Sequence, residues 1–423
     1  MFSPDSQIIE VFRFDEFVRI IPHLSFSAQK MSDIPPEILS DILSRLPVKS
    51  LLRFRCVSKS IKTLIDSPEF IEAHLKNQVL KPNSDMKLIL KAHIDADNLF
   101  SLDFASMAST QIPRELAHPL KHLYGPTQVL GSCRGLVLIS NNMNDNGVWN
   151  PSTKVFRKLP FCHINPPRKP LGGQGPGLSQ IRGGFGYDRL ADDYKVVTIA
   201  QLYHPDAEPS LVSETMVFSL KLDVWKKVQD CPYWLLKEDN GTCAGGALHW
   251  IVTKEPSAWW SPLILVGLNL QNGTFQEVEY PEDLGNPQQI NLAVLGECLC
   301  LLKGHLTCSN AKNHVLDRID VWMMKDYGVK ESWVKLFSVE QLEGRQHFRN
   351  LRPITYSVTG KEVLMEMDNR KFLWYSLERK SLKYAKMNSK LDTFESIVCL
   401  GSLVPLYGGR NEKDRKKGIE QRE

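Results

Sequence analysis

The hydrophobic pattern changes once along the chain. From residue 32 to about 78 its period is helical. Ile38, Leu39, Ile42, Leu43 and Leu46 recur at i, i+1, i+4, i+5 and i+8, one apolar stripe of a helix. Ser32 or Asp33 can cap this helix, Pro35 and Pro36 suit its first turn, and Pro47 stops it. A second short helix carries Leu51, Leu52 and Phe54. A third carries Val57, Ile61, Leu64 and Ile65. Ser67 then caps a fourth, with Pro68 at its first position and Phe70, Ile71 and Leu75 as its apolar residues.

From about 85 to 408 the period is that of strands. Short β-rich runs such as "MKLILKA", "GLVLIS", "YKVVTIAQL", "ALHWIV", "LILVGLNL" and "RIDVWMM" are separated by Gly, Pro, Asn and Asp. Asn272-Gly273 between "LNLQ" and "TFQEVEY" predicts a hairpin. No long helical pattern intervenes, which argues against a parallel sheet with crossover helices. A Gly-led hydrophobic strand recurs, each time followed by an aromatic strand and a strand ending in a short polar turn. The starts lie roughly 50–65 residues apart, near the spacing of a four-stranded propeller blade. The predicted fold is α then β: a small helical unit at 32–78, then an all-β, propeller-like domain at 85–408 with about six blades. Trp149, Trp225, Trp322 and Trp374 are expected to pack between blades. A propeller loses its free edges only if its last strand joins its first blade. "FESIVCLGSLVPL" at 394–406 should therefore lie in the same blade as "MKLILKA" at 86–92, or in a neighbouring one.

Length and composition narrow the function classes. A chain of 423 residues suits one small domain beside one large one, and 42% hydrophobic residues supply ample material for a core. With 52 Lys+Arg against 48 Asp+Glu, the net charge of +4 excludes a whole-chain polycation of the nucleic-acid-binding kind. The longest nearly apolar stretch, Pro262 to Leu270, is far short of the ~20 residues of a membrane span. Neither nucleic acid nor membrane is expected as a partner. The nine cysteines are scattered, with no C-x-x-C pair, and read as mostly buried free thiols in a reducing compartment. Residues 1–31 carry Asp5, Glu10, Asp15 and Glu16 among their hydrophobics. They fit neither a secretory signal nor a mitochondrial transit peptide. A flexible extension is expected there, with Met31 as an alternative start. A disordered, charged tail is expected at 409–423.

The helical unit is too short to bury all its aliphatic residues by itself. Physics leaves two uses for the exposed patch: a partner, or the rest of the same chain. Between Ile42 and Ile65 six basic residues (Arg45, Lys49, Arg53, Arg55, Lys59, Lys62) stand with no acid. A solvated basic face, or one turned to an acidic protein, accounts for them better than a nucleic-acid contact.

The wording of this segment goes further. Ile34-Pro35, Glu37, Ile42-Leu43, Leu46-Pro47, Leu51 and Leu52 before Arg53, Val57-Ser58-Lys59 and Pro68-Glu69-Phe70 together closely resemble an F-box. The resemblance implies binding to the Skp-type adaptor of a Skp–cullin–F-box ubiquitin ligase. The adaptor contact is then expected among Ile34, Pro35, Ile38, Leu39, Ile42, Leu43, Leu46, Pro47, Leu51 and Val57. The β domain carries, in order, "WNPSTKVFRKLP", "GFGYD", "DDYKVV", "GALHWIV", "NLQNGTFQEVEYP" and "IDVWMMKDYGVKESWVKLF". This set resembles the plant F-box-associated, kelch-like interaction domain. It implies a domain that holds a protein target.

Catalytic and cofactor signatures are missing. There is no G-x-x-x-x-G-K-[ST], G-x-G-x-x-G or H-E-x-x-H pattern. Pro119 between His118 and His122 breaks the helix that a zinc pair would need. "GSCRG" at 131–135 mimics a nucleophile elbow around Cys133, but a strand follows it where an elbow needs a helix. His249 and Tyr233 suit a copper site by residue type only. The expectation is therefore a non-catalytic substrate receptor without cofactor, acting in the cytoplasm and/or nucleus. Its partners are a Skp-type adaptor, a cullin through it, and an unidentified target. The alternatives are an F-box scaffold outside the ligase and a sugar-binding or enzymatic propeller. Three long connections, Phe161–Ile181, Tyr203–Ser213 and His305–Arg318, are the expected places for target recognition.

Overall fold

A computed structural model describes residues 35–406, except for 81–84, 94–96, 108–111, 122–125, 142–144, 165–177, 205–209, 237–239, 256–260, 282–289, 307–315, 341–347 and 388–390. The expectations for the N-terminal extension, the caps Ser32 and Asp33, Ile34 and the charged tail lie outside the described residues. Two units are present, divided at Leu80/Lys81.

The first unit contains helices α1 (Pro36–Ser44), α2 (Val48–Phe54), α3 (Lys59–Ile65) and α4 (Pro68–Leu80). Proline starts α1, because a first-turn residue needs no amide hydrogen. Pro47 takes the cap position of α2. Ser58 Oγ accepts from Ile61 N at 3.2 Å, and Ser67 Oγ accepts from Phe70 N at 3.2 Å. Each hydroxyl satisfies one amide that the first turn leaves without a helical partner. Leu43, Val48, Leu51, Ile61, Ile65, Phe70, Ile71 and Leu75 form the buried interior. Two polar ties brace α4 against the end of α1. The buried His74 ring Nε2 donates to the Leu46 carbonyl at 3.0 Å, and Asn77 Nδ2 donates to Ser44 Oγ at 2.9 Å.

The second unit is a ring of six antiparallel sheets. Blade 1 has β1 (Lys87–Ala92), β2 (Leu99–Asp103) and β3 (Arg114–Leu116). Blade 2 has β4 (Gln128–Cys133), β5 (Leu136–Ser140), β6 (Asn146–Asn150) and β7 (Val155–Lys158). Blade 3 has β8 (Leu178–Asp188), β9 (Asp193–His204), β10 (Ser210–Ser219) and β11 (Val224–Lys227). In blade 4, β12 (Trp234–Leu235) and β13 (Thr242–Ala244) share the first position, followed by β14 (Ala247–Thr253), β15 (Ile264–Asn269) and β16 (Phe275–Glu277). Blade 5 has β17 (Ile290–Leu295), β18 (Cys298–Leu306), β19 (Leu316–Met324) and β20 (Trp333–Glu340). Blade 6 has β21 (Leu351–Tyr356), β22 (Glu362–Met367), β23 (Lys371–Ser376) and β24 (Ser381–Tyr384). The last strand, β25 (Phe394–Cys399), returns to pair antiparallel with β1, Leu88 opposite Val398. The two segments expected to close the ring thus share a blade.

The first strands of neighbouring blades touch in succession, β25–β4–β8–β13–β17–β21 and back to β25. Blades meet through apolar seams, each drawn from two neighbours. Between blades 1 and 2 lie Ile89, Leu99, Val137, Ile139 and Trp149. Between blades 5 and 6 lie Leu302, Val321, Val363 and Met365. This explains why second strands such as "LVLIS" and "ALHWIVT" are buried at every position, with no alternation. Trp322 packs on the seam of blades 4 and 5, and Trp374 on that of blades 6 and 1. Polar groups cross between blades 2 and 3. Arg157 Nη1 donates to Leu220 O at 2.7 Å and Arg157 pairs with Asp223, while Trp225 Nε1 donates to Pro160 O at 2.9 Å.

One turn repeats from blade to blade. The residue ending the third strand accepts, at its backbone carbonyl, from the amide four positions on: Lys154 to Asn150 at 2.8 Å, Asp223 to Ser219 at 2.9 Å, Gly273 to Asn269 at 2.9 Å, Lys380 to Ser376 at 2.9 Å. That fourth residue is always left-handed, with φ of 62°, 59°, 71° and 52° in turn. The side chain of the first residue caps the turn in each case. The hairpin expected at Asn272-Gly273 therefore exists, but its turn is wider than a two-residue one. Gly273 takes the left-handed position, where a glycine has no Cβ to clash.

Candidate partner-binding surfaces

The ten positions expected at the adaptor surface separate into three groups. Pro35, Ile38, Ile42 and Val57 face outward, with Ile38 54%, Ile42 45% and Val57 54% exposed. Ile38 and Ile42 are one turn apart on α1 and so share a face. Leu39, Leu46 and Pro47 are half-buried. Leu43 and Leu51 are 3% and 0% exposed, enclosed within the four helices. Their side chains pack inside the unit and hold the helices in place. Ile34 lies outside the described residues.

Burial also accounts for Ile61, at 4% exposure in the same interior. Arg55 bridges to Asp66 at 2.8 Å across the ends of α2 and α3. Half-exposed pairs of this kind add little stability. Arg45 likewise pairs with the exposed Asp41 at 2.7 Å.

The propeller has two unlike ends. Strands alternate in direction, so the turns joining first to second and third to fourth strands all emerge at one end. Most of these turns are tight and carry the left-handed residues Arg134, Lys154, Asp223, Glu297 and Lys380, the connections β2–β3 (104–113) and β19–β20 (325–332) being longer. At the opposite end emerge the connections between second and third strands, and those between blades. All three connections expected to recognise a target belong to this second end. Strands extend further into them than expected: β9 runs to His204, β10 starts at Ser210, β18 runs to Leu306 and β19 starts at Leu316. Hydrogen bonding of a long antiparallel ladder overrides the polar composition there. Arg182 falls within β8, while Arg168, Lys169, Asp206, Glu208, Lys312 and His314 lie outside the described residues.

Residues suited to chemistry by type are engaged in structure. His118 Nε2 donates to Asp97 O at 2.9 Å. His122 lies outside the described residues. His249, 1% exposed, donates from Nδ1 to Thr242 O at 3.0 Å and accepts at Nε2 from the Tyr327 hydroxyl at 2.8 Å. Burial holds its pKa down at about 4, which keeps the ring neutral. Tyr233 donates to Glu277 at 2.6 Å, and that bond pushes its phenol up to about 12. Asp320 gathers His305 at 2.9 Å, Arg318 at 3.1 Å, Lys335 at 3.0 Å and Ser338 at 2.8 Å. Although burial opposes its charge, these donors hold the carboxyl below its ordinary range. After Cys133 the chain turns through left-handed Arg134 and Gly135 into β5, so no helix follows as an elbow would need. Among the described residues, no group of three or more His, Cys, Asp or Glu side chains is placed to hold a metal ion.

Comparison with known proteins agrees with this division. Residues 89–399 match the F-box associated beta propeller domain, from within β1 to the end of β25, and residues 31–72 match the F-box domain. Neither is an enzyme family. The chain is 34% identical to the F-box protein CPR1 of Arabidopsis thaliana over 396 residues, covering 88% of this chain and 89% of that one. An F-box/kelch-repeat protein of the same plant is 28% identical over 387 residues, covering 88% of this chain and 95% of its own. Among solved structures, an oligogalacturonate lyase from Vibrio parahaemolyticus has a TM-score of 0.36 at 8% identity, over 68% of this chain and 70% of that one. A likeness of that degree carries no argument.

Proposed function

Because the chain belongs to the F-box proteins with an F-box-associated β-propeller, we infer that it is the substrate-recognition subunit of a Skp–cullin–F-box ubiquitin ligase. An F-box implies binding to a Skp-type adaptor. The observation that carries the reading here is the outward face of α1, where Ile38 and Ile42 stay exposed although the unit has a closed interior. Exposed aliphatic residues side by side on a helix are costly in water and gain on meeting an apolar groove. The cullin joins through the adaptor. The propeller holds the target and does no bond chemistry itself. Tethering raises the target's concentration near the ubiquitin-charged enzyme, to the order of millimolar for a short flexible link.

We place target recognition at the end of the propeller where the three long connections emerge. The opposite end consists mostly of repeated tight turns, which leave little chain for variation. The site of action is the cytoplasm and/or nucleus, where adaptor and cullin would be met. Capture of the full chain under proteasome block tests the assignment: adaptor, cullin and target should be recovered together. Recovery of adaptor without cullin would favour a scaffold outside the ligase. Shortening each of the three connections to a Gly-Ser turn should leave adaptor binding intact while target ubiquitination falls. Normal ubiquitination by all three shortened proteins would place recognition elsewhere.

A further inference from the structure

Charge is spread unevenly around the ring, and blade 6 stands apart. Residues 348–387 include nine Lys and Arg against four acids. That excess of five is larger than the whole chain's net charge of +4. Two of the four acids are engaged in holding the fold. Glu366, 2% exposed, pairs with Arg352 at 3.2 Å and accepts from Ser396 N at 2.9 Å. Asp368 Oδ1 accepts from the amides of Arg349 and Asn350, both at 2.8 Å. Glu362 and Glu378 are left to offset the surface cations.

The excess gathers along β24, the strand that ends its sheet beside β23. Arg379 and Lys380 stand at the turn into it, Lys383 within it and Lys386 just beyond it, all exposed. Lys383 lies opposite Trp374, and the ladder continues from Ala385 N to Phe372 O at 2.9 Å, so the chain is still extended where it reaches Lys386. At about 3.3 Å per residue, Lys380 and Lys386 lie about 20 Å apart. Between them Tyr384 is 41% exposed, with Lys371 Nζ 5.5 Å from its ring centre. Other outer strands set acids against their cations. On β7 Arg157 pairs with Asp223 and Lys158 with Asp145. On β11 Lys227 lies near Glu214 and Asp230, and on β20 Lys335 pairs with Asp320. Among the described residues, Arg379, Lys380, Lys383 and Lys386 have no such ion pair. Lysines on an edge strand also discourage sheet-to-sheet pairing. That role is common to every outer strand and does not account for the missing acids here.

We propose that the outer strand of blade 6 is a docking surface for a short acidic segment of a partner protein, its carboxylates pairing with Arg379, Lys380, Lys383 and Lys386 while an apolar side chain packs on Tyr384. Charge complementarity selects this partner. Like charges crowded along one strand repel each other in the free protein, and an anionic segment relieves that repulsion. The extent of the basic zone sets the partner's size. Among the described residues the neighbouring blades are acidic: blade 1 has six acids against four Lys and Arg, and blade 5 has six against five. A nucleic acid or an anionic membrane would overrun the basic strand and meet those acids. A peptide of the strand's own length would not. This docking does not depend on the ligase reading, and it lies apart from the long connections.

The test titrates the full-length protein into a fluorescein-labelled peptide of alternating Glu and Ser, about twelve residues long and so able to span the strand. Fluorescence anisotropy at low salt should show saturable binding. Affinity should fall at least about tenfold between about 0.05 M and 0.5 M salt, because the contacts are exposed charges. It should fall at least about tenfold in Lys383→Glu with Lys386→Glu, and less steeply in the neutral pair Lys383→Gln with Lys386→Gln. Lys226→Glu, at an exposed position of β11, should bind as the wild type does. A peptide of alternating Lys and Ser should not bind. If a variant loses its thermal transition, the salt series and the Lys peptide decide on the wild type alone. Absence of saturable binding by the wild type, or equal affinity in the folded charge-reversed variant, would overturn the proposal. Tighter binding of single-stranded DNA of about the same length, lost in the same variants, would overturn the choice of a protein partner.

Discussion

Asn150 donates both amide hydrogens to the end of the chain, to Ser402 O at 3.0 Å and Val404 O at 2.9 Å. Its Oδ1 accepts from Ser152 N at 2.9 Å and Thr153 N at 3.2 Å. One fully buried side chain thus closes its own turn and anchors the segment after β25 to blade 2. Asn150→Ala strands two buried carbonyls, at roughly 1–3 kcal/mol for each unsatisfied group. The urea midpoint should fall accordingly, and Ser152→Ala should lower it less, because it removes only the single bond from Ser402 N to Ser152 Oγ. His249 gives a pH test. Its folded pKa of about 4 lies below the ordinary 6.5, so the unfolded chain binds the extra proton first as pH falls. Stability is complete above about 6.5 and is lost as pH falls through 6.5 towards 4. The loss approaches about 3 kcal/mol, from 1.36 kcal/mol for each pKa unit. Unfolding free energies measured at pH 7 and pH 4.5 should differ less in His249→Gln than in the wild type.

At the scale of elements, α1 and β25 behave differently. On α1 the apolar stripe was legible in the sequence because its period is local. Which members face outward was not, because Leu43 is covered by packing that involves α4, a helix set by residues much further along. Leu51→Ala should cost about 2–5 kcal/mol of stability in the helical unit, as expected for a buried leucine. Ile38→Asp with Ile42→Asp should leave its thermal midpoint nearly unchanged, because both positions are solvent-exposed. Beyond α1, the blades were legible as Gly-led runs with polar turns, since each hairpin is local. The split of blade 4's first strand into β12 and β13 was not, because two- and three-residue strands leave no periodic signal. β25 completes blade 1 and brings Phe394 fully into the seam with blade 6. A chain ending at Leu391 should therefore expose the edge of β1 and aggregate or unfold. A soluble, cooperatively folded product of that length, seen by circular dichroism and gel filtration, would contradict the closure described here.

For the whole molecule, the division of labour follows from what each unit leaves unsatisfied. The helical unit leaves aliphatic residues in water. The propeller closes its ring through β25 and leaves only the short outer strands of its blades as edges, with turns and connections at its two ends. On the proposed reading the first is a docking module and the second a platform for the target, and their functions should separate by mutation. The most direct measurement is the affinity of the purified full chain for a Skp-type adaptor, taken for the wild type and for Ile38→Asp/Ile42→Asp. Loss of one well-packed apolar anchor costs about 2 kcal/mol, or thirtyfold. The double variant should therefore bind at least about thirtyfold more weakly while both units keep their thermal transitions. Equal affinity for the two folded proteins, or no binding by the wild type, would contradict the account.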